Sequence, residues 1–381
     1  MKKIIIVAGD PSGDLYGSML IRALKKRKNI SVECAGGPLM KKACTANDAF
    51  RYDLASHGVT GFFAPIKKLP TFVRLKSAFR KSMSRGNVDA VVCVDFYGFN
   101  RHILSAAKKS GVPAYYFISP QIWASRPGRI RHIKKCVTRM FVIFPFEETL
   151  YKKAGVPVTW VGHPLIDVLP PPHDHSRPAG MRLGLLPGSR RTEIRRHLPL
   201  FLKSASRMIK DFPDSEVTVF GAPQIDDRFY AQWLKSWHAP SGAKARLVRE
   251  TDYYERARQD FVLTSSGTAT LENALLGLPM VVVYKLAWPT YWIARALIRV
   301  PYIAMANLLA GKKIVPELIQ SDANPESVAD AALDILGDLR QLRKIKEELL
   351  ALRDNLGGPG AVERVAAHLC DSAPAARGAA A

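Results

Sequence analysis

A chain of 381 residues, 48% hydrophobic and 23% charged, can build two cores and has the composition of a globular protein. Its 56 Lys and Arg against 33 Asp and Glu give a formal charge of +23, which calls for an anionic partner: nucleic acid, a membrane surface or a phosphorylated substrate. Five scattered cysteines without a Cys-x-x-Cys pair argue against a disulfide framework or zinc site and for a reducing compartment, and no apolar stretch reaches the roughly 18–20 residues of a membrane span.

The first eight residues are basic and then apolar, but the run stops at Gly9-Asp10, short of the roughly 7–15 apolar residues of a secretory signal. They are read as a strand, Lys2–Ala8, of a protein expected in the cytoplasm. After the turn Gly9–Asp14, a helix is predicted over Leu15–Lys26, with Ser12 or Asp14 as its cap. Gly9, Gly13 and Gly17 do not make the G-x-G-x-x-G fingerprint, and capping alone would account for this turn. Ser31–Gly36 is a second strand.

Residues 61–85 are unusual. Phe62, Phe63, Ile66, Leu69, Phe72, Val73, Leu75 and Phe79 interleave with Lys67, Lys68, Arg74, Lys76, Arg80, Lys81 and Arg85, and no acid stands between Ile66 and Arg85. Apolar side chains that enter the headgroup boundary beside cations that meet anionic lipid make an interfacial segment. The competing reading is an amphipathic helix laid on a core with a solvated basic face.

Val88–Asp95 reads as a buried parallel strand with Asp95 at its carboxyl end, where open α/β sheets bind ligands. An acid there serves as a general base or as a turn residue. Ala114–Ser119, Met140–Phe144 and Val158–Val161 are further strands, with a basic loop around Trp123, Arg126, Arg129 and Arg131. His163, a lone His in a turn, fits a structural role better than a catalytic one. The Pro-rich, aperiodic residues 167–180 form a linker, where His173, Asp174 and His175 are a weak metal signal.

The alternation then repeats, with strands at Arg182–Leu186, Glu216–Phe220, Ala245–Val248, Asp260–Thr264 and Met280–Tyr284 and helices near Pro199–Lys210, Asp252–Arg258, Thr268–Leu276 and Pro289–Ile298. Two strand-to-helix turns rich in Gly, Ser and Thr stand out: Leu183–Arg190, carrying Gly188, Ser189 and Arg190, and Phe261–Glu272, carrying Ser266, Gly267 and Thr268. Helix N-termini of this kind suit the phosphates of a nucleotide. Helices Pro325–Leu336, Leu339–Arg353 and Val362–Leu369 end the chain before an Ala-rich tail, 371–381, expected to be disordered.

Taken in order, Ala8-Gly-Asp-Pro-Ser-Gly-Asp14, Val94-Asp95 with Phe99-Asn100, Ile118–Ala124, Phe144-Pro-Phe-Glu147, Val161-Gly-His-Pro164, Leu186–Arg190, Ser266–Glu272, Pro279–Val282, Asn307–Gly311 and Pro316–Gln320 resemble the lipid A disaccharide synthase family over roughly Lys3 to Leu369. The resemblance implies a GT-B fold: two Rossmann-like α/β domains facing across a cleft, with a C-terminal helix crossing back to the first. The domains are expected at 1–166 with a helix near 354–370, and at 181–353.

It also implies an inverting transfer from UDP-2,3-diacylglucosamine to the 6-hydroxyl of 2,3-diacylglucosamine 1-phosphate (a lipid X-type acceptor), without metal or other cofactor, by a peripheral protein of the inner membrane. Such a transfer needs a carboxylate to take the hydroxyl's proton. Asp95 is the candidate, Asp10 and Asp14 are the reserves, and Ser12 orients substrate. Arg190 and the backbone N–H groups at Gly188–Ser189 and Ser266–Thr268 would stabilise the leaving UDP. Glu272 would accept from the ribose, and Asn307 and Gln320 would line the donor side. Phe62, Phe63, Ile66, Leu69 and Phe72 would contact the membrane, which accounts for the charge without nucleic acid. Oligomeric state and acyl-chain length are left open.

Two positions depart from the family pattern: Asp10 stands where Glu is more common, and Gly98 where a second Asp often follows Asp95. Three other readings compete. A UDP-N-acetylglucosamine epimerase on the same scaffold would not need the aromatic-basic segment. A nucleic-acid-binding protein would show steep salt-dependent DNA affinity, although no RRM, KH, helix-turn-helix or zinc signature is present. A scaffold that has lost catalysis would not need Asp95, Arg190 and Glu272.

Overall fold

The structure is a computed structural model that describes residues 1–27, 29–55, 69–172, 180–239, 242–250, 252–297 and 300–371. The chain divides into two compact units, Met1–Asp167 with the stretch from Leu356 onward, and Val168–Asn355.

In the first unit, β1 (Lys2–Ala8), β2 (Ile30–Gly36), β3 (Ala49–Asp53), β4 (Ala90–Val94), β5 (Ala114–Phe117), β6 (Arg139–Val142) and β7 (Val158–Trp160) alternate with α1 (Pro11–Lys25), α2 (Pro38–Ala43), α3 (Leu69–Ser84), α4 (Tyr97–Lys109), α5 (Arg129–Cys136) and α6 (Pro145–Lys153). The strands form one parallel sheet in the order β3-β2-β1-β4-β5-β6-β7. β1 and β4 are buried almost throughout, as near-continuous runs of Ile, Val and Ala require when helices cover both faces, and β2 is buried too, although it carries Ser31 and Glu33.

The second unit holds β8 (Arg182–Leu186), α7 (Arg191–Asp211), β9 (Glu216–Phe220), α8 (Asp227–Leu234), β10 (Ala245–Val248), α9 (Tyr254–Ala257), β11 (Phe261–Ser265), α10 (Thr268–Leu275), β12 (Met280–Tyr284), α11 (Trp288–Leu297), α12 (Met305–Ala310), β13 (Glu317–Ile319), α13 (Pro325–Gly337) and α14 (Leu339–Asp354). Its parallel sheet runs β10-β9-β8-β11-β12-β13.

The last helix, α15 (Ala361–Asp371), returns to the first unit. It packs on α1, burying Val362, Val365, Ala366 and Leu369. Lys2 Nζ donates to the Leu369 carbonyl at 2.8 Å, and Arg364 Nε to that of Val161 at 2.9 Å.

Several elements differ from expectation. α1 begins at Pro11 because Asp10, not Ser12 or Asp14, caps it, its carboxylate accepting from Gly13 N–H at 2.6 Å; proline is favoured in the first turn. α7 begins at Arg191 and carries Pro199 inside it. Burial of Ile194 and Leu198 upstream contributes about 1.5–3 kcal/mol each, which offsets the ~3 kcal/mol that an interior proline costs. The short elements α2, β3 and β13 carry no periodic signal long enough to be read. The tail beyond residue 371 and the linker's His173, Asp174 and His175 lie outside the described residues.

Candidate active site

Each sheet reverses its strand order once, between β1 and β4 and between β8 and β11. In open α/β sheets the loops leaving the carboxyl ends of such a pair form the binding crevice. The loops that carry Asp10, Asp95, Gly188–Arg190 and Ser266–Thr268 leave from these two points.

In the first unit Ala8 is the register partner of Val94, so Gly9-Asp10 and Asp95-Phe96 leave the sheet side by side. Asp95 and Phe96 both adopt left-handed backbone, with φ of 42° and 46°. Non-glycine residues there cost of order 1–3 kcal/mol each and persist only where their surroundings hold them. Here the holding groups are identifiable. Asn100, fully buried, donates from Nδ2 to the Asp95 carbonyl at 2.8 Å and to that of Val94 at 3.2 Å, and the Tyr116 hydroxyl donates to the same Asp95 oxygen. Gly9 makes room, since a Cβ there would lie 2.0 Å from the Phe96 ring.

The Asp95 carboxyl is pushed up to about 8, first by burial and then by the negative charge of Asp10, with Glu147 adding to it and Arg129 opposing it. Glu147 is itself raised to about 7 by burial, although Trp123 Nε1 donates to it at 3.1 Å. A carboxyl that ionises near neutral pH is suited to take a proton from a hydroxyl. Asp10 lies beside it as cap and charge, and Ser12 stands half-buried in the first turn of α1. Asp14 is no reserve base: its carboxylate accepts from the N–H groups of Gly37, Leu39 and Met40 at 2.8–3.0 Å and so caps α2. His163 is buried with its ring against Phe144, and Nδ1 accepts from Leu165 N–H, a structural role.

In the second unit Leu186 is the register partner of Thr264, which sets the Gly188–Arg190 and Ser266–Thr268 loops beside each other. Gly188 has φ of 113°, and a Cβ there would lie 2.7 Å from Glu193. The Glu193 carboxylate accepts from the N–H groups of Ser189 at 2.9 Å and Arg190 at 3.2 Å, and pairs with the Arg190 guanidinium. An anion thus already sits on the donors expected to meet phosphate. Gly267, φ 142°, precedes α10, which opens at Thr268. The Ser266 N–H does not face a ligand as expected; it donates to Val283 and continues the ladder to β12.

Glu272 on α10 accepts from the Tyr253 hydroxyl at 3.1 Å and from Arg256, which also pairs with Glu250. Arg256 is buried between these two carboxylates and under the Tyr253 ring. Each Glu272 oxygen keeps acceptor capacity beyond its one partner.

Asn307 and Gln320, expected to line the donor side, are both held by hydrogen bonds within the second unit. Asn307 is fully buried: its oxygen accepts from Ile314 and Val315 N–H, and its nitrogen donates to Val315 and Glu317. All its hydrogen-bonding capacity shapes the approach to β13. Gln320, also buried, accepts from Leu286 N–H at 2.7 Å and donates back to its carbonyl, pinning the segment after β12.

The expected membrane contacts divide. Phe62, Phe63 and Ile66 lie outside the described residues, and Leu69 opens α3. Phe72 turns inward, its ring 5.1 Å from that of Phe99, and Leu75 and Phe79 are buried. Over its described side chains α3 is therefore an amphipathic helix on a core, with Val73, Arg74, Lys76 and Arg80 outward. Among the described residues no helix is long and apolar enough to cross a membrane, and no group of His, Cys, Asp and Glu could hold a metal ion.

Asn100, Glu147, Glu193 and Arg256 had no role from sequence reasoning. Glu193 carried a signal, an acid three residues into a helix that follows a turn, which is half of a capping box.

Solved structures share this architecture: UDP-GlcNAc 2-epimerase from Neisseria meningitidis (TM-score 0.63, 13% identity, covering 98% of this chain and 100% of that one), MurG from Acinetobacter baumannii (0.58, 16%, 98% and 100%) and the calicheamicin glycosyltransferase CalG4 (0.61, 17%, 98% and 100%). At such identities the likeness shows the fold, which is GT-B. The lipid-A-disaccharide synthases of Syntrophus aciditrophicus and Geobacter metallireducens are 42% and 36% identical over 377 and 374 residues, each alignment covering 96% of both chains. With the model of the Lipid-A-disaccharide synthetase family matching residues 4–364, the chain belongs to that family and is a glycosyltransferase of lipid A biosynthesis.

Proposed function

We propose that this glycosyltransferase joins UDP-2,3-diacylglucosamine to 2,3-diacylglucosamine 1-phosphate with inversion, giving the β-1,6-linked lipid A disaccharide 1-phosphate and UDP. The observation that carries the reading is the Asp95 carboxyl, held at a strand-order reversal in strained backbone and raised to about 8. Asp95 takes the proton of the acceptor's 6-hydroxyl as that oxygen attacks the donor's anomeric carbon. The bond from that carbon to the β-phosphate oxygen breaks, and its electron pair leaves with UDP. Arg190 and the N–H groups of Ser189, Gly267 and Thr268 meet the developing charge, the phosphate taking donors that Glu193 now holds. Glu272, fixed by Arg256 and Tyr253, accepts from the ribose. Ser12 orients the acceptor.

No step calls for a metal, and the protein works as a peripheral protein at the inner membrane, where both acylated substrates reside. The charge of +23 suits anionic lipid and the acceptor phosphate. The test is incubation of the purified protein with both substrates in detergent micelles containing EDTA, following UDP and the disaccharide by mass. Both products are expected together. UDP binding without product would assign a different sugar nucleotide or acceptor to the same scaffold.

A further inference from the structure

The exposed aromatic residues of the second unit are unexplained by the transfer reaction. α11 carries Trp288, Tyr291, Trp292 and Arg295, at spacings of three, four and seven, so all four lie on one helix face. Trp288 is 55% exposed and Trp292 60%. The Tyr291 ring lies 5.9 Å from that of Trp288 and 5.6 Å from that of Trp292, and Arg295 donates to the Tyr291 hydroxyl at 2.9 Å. A soluble surface rarely leaves two adjacent indoles more than half open to water.

In sequence, the charge flanking this stripe is one-sided. From Asn273 to Pro316 the chain has no Asp or Glu, but it has Lys285, Arg295, Arg299, Lys312 and Lys313, of which Lys312 pairs with Glu348. Tryptophan and tyrosine concentrate where an apolar ring can enter lipid while its polar edge stays among the headgroups, and cations beside them meet anionic phosphates. A second protein copy would bring its own net charge of +23 to the same face, which disfavours self-association there.

We propose that the Trp288–Arg295 face of α11 is a lipid-contact surface of the second unit, inserting Trp288 and Trp292 into the interface of an anionic bilayer. It is separate from the aromatic-basic segment of the first unit and stands whichever donor and acceptor the enzyme uses. The bilayer would thereby hold the nucleotide-sugar-binding unit.

The test uses the full chain and vesicles of phosphatidylcholine with phosphatidylglycerol, with and without brominated acyl chains. Brominated lipid is expected to quench the tryptophan emission of the wild type, and the quenching to be lost in Trp288→Phe/Trp292→Phe, which keeps the fold and leaves the other four tryptophans in place. Trp288→Ser/Trp292→Ser is expected to bind anionic vesicles about tenfold more weakly or worse, with UDP affinity unchanged. Equal quenching in the wild type and the Phe variant would overturn the proposal. So would a sedimentation coefficient that falls in the Ser variant without lipid while vesicle binding stays the same, which would make the face a contact between copies. A rise in KM for acylated acceptor with vesicle binding unchanged would assign the face to the substrate's acyl chains and equally overturn it.

Discussion

Asn100 Nδ2 lies 2.8 Å from the carbonyl oxygen of Asp95 and within bonding distance of the Val94 and Val7 carbonyls. One buried amide thus ties the first turn of α4 to the ends of two neighbouring strands and holds the strained backbone on which the proposed base sits. Asn100→Ala removes those bonds and leaves the Asp95 carbonyl to Tyr116 alone, at about 1–3 kcal/mol in all. The expected result is a fall in kcat of at least about tenfold with UDP affinity unchanged. Turnover equal to wild type in a folded Asn100→Ala would remove the positioning role.

Asp95→Asn should lower turnover by roughly 10²–10⁴-fold, the usual contribution of a general base, with UDP affinity unchanged. It should also raise thermal stability. The Asp95 pKa is raised on folding, so between about pH 4, where an unfolded Asp ionises, and about pH 8 the folded protein binds a proton that the unfolded chain has released. Stability contributed by this carboxyl is present below that window and lost as pH rises through it. The variant should therefore melt higher than wild type at pH 8, and the gap should close towards pH 4. A gap that does not change with pH would contradict the raised pKa.

The same pKa sets the pH–rate profile. kcat/KM is expected to rise through about pH 8 as Asp95 gives up its proton. Asp10→Asn keeps the cap on α1, because asparagine caps as well as aspartate, but removes the neighbouring negative charge. Ionisation of Asp95 becomes easier and the rising limb moves to lower pH. A limb that stays in place would show that the charge of Asp10 does not reach Asp95.

Glu193 occupies N–H donors that the proposal gives to phosphate. Glu193→Ala should tighten UDP binding several-fold while lowering the melting temperature, since the helix loses a cap of about 0.5–2 kcal/mol. Calorimetric titration reads the first effect and thermal unfolding the second. Weaker UDP binding in the variant would mean that the carboxylate organises the loop for the nucleotide instead of competing with it.

Arg256 is the one cation in contact with both Glu250 and Glu272 among the described residues. Arg256→Met would leave two buried carboxylates facing each other, a loss of about 3–5 kcal/mol. Arg256→Met/Glu250→Gln should recover part of the lost melting temperature. If it recovers none, the pair repulsion is not what the arginine relieves.

Much of this protein is legible in its residues taken in order. The apolar runs within β1, β4, β8 and β11 mark parallel strands, because strands covered on both faces are near-continuously apolar. Each is followed by a turn of Gly, Ser, Asp or Pro, and those turns are local chemistry. The motif order identifies the family. Spatial partnership is not a local property. Glu33 is fully buried in β2 because Lys3, Arg51 and Ser82, brought from three other elements, surround it. Asp14 and Asp10 stand four residues apart in one turn, yet one caps a helix 23 residues downstream while the other charges the Asp95 site. Phe72 looks like its exposed neighbour Val73 in sequence, and only the packing of α3 decides that the first faces Phe99 and the second water. Residue type sets what a side chain can do; burial and long-range neighbours, which depend on how distant segments pack, decide which of those capacities is left for function.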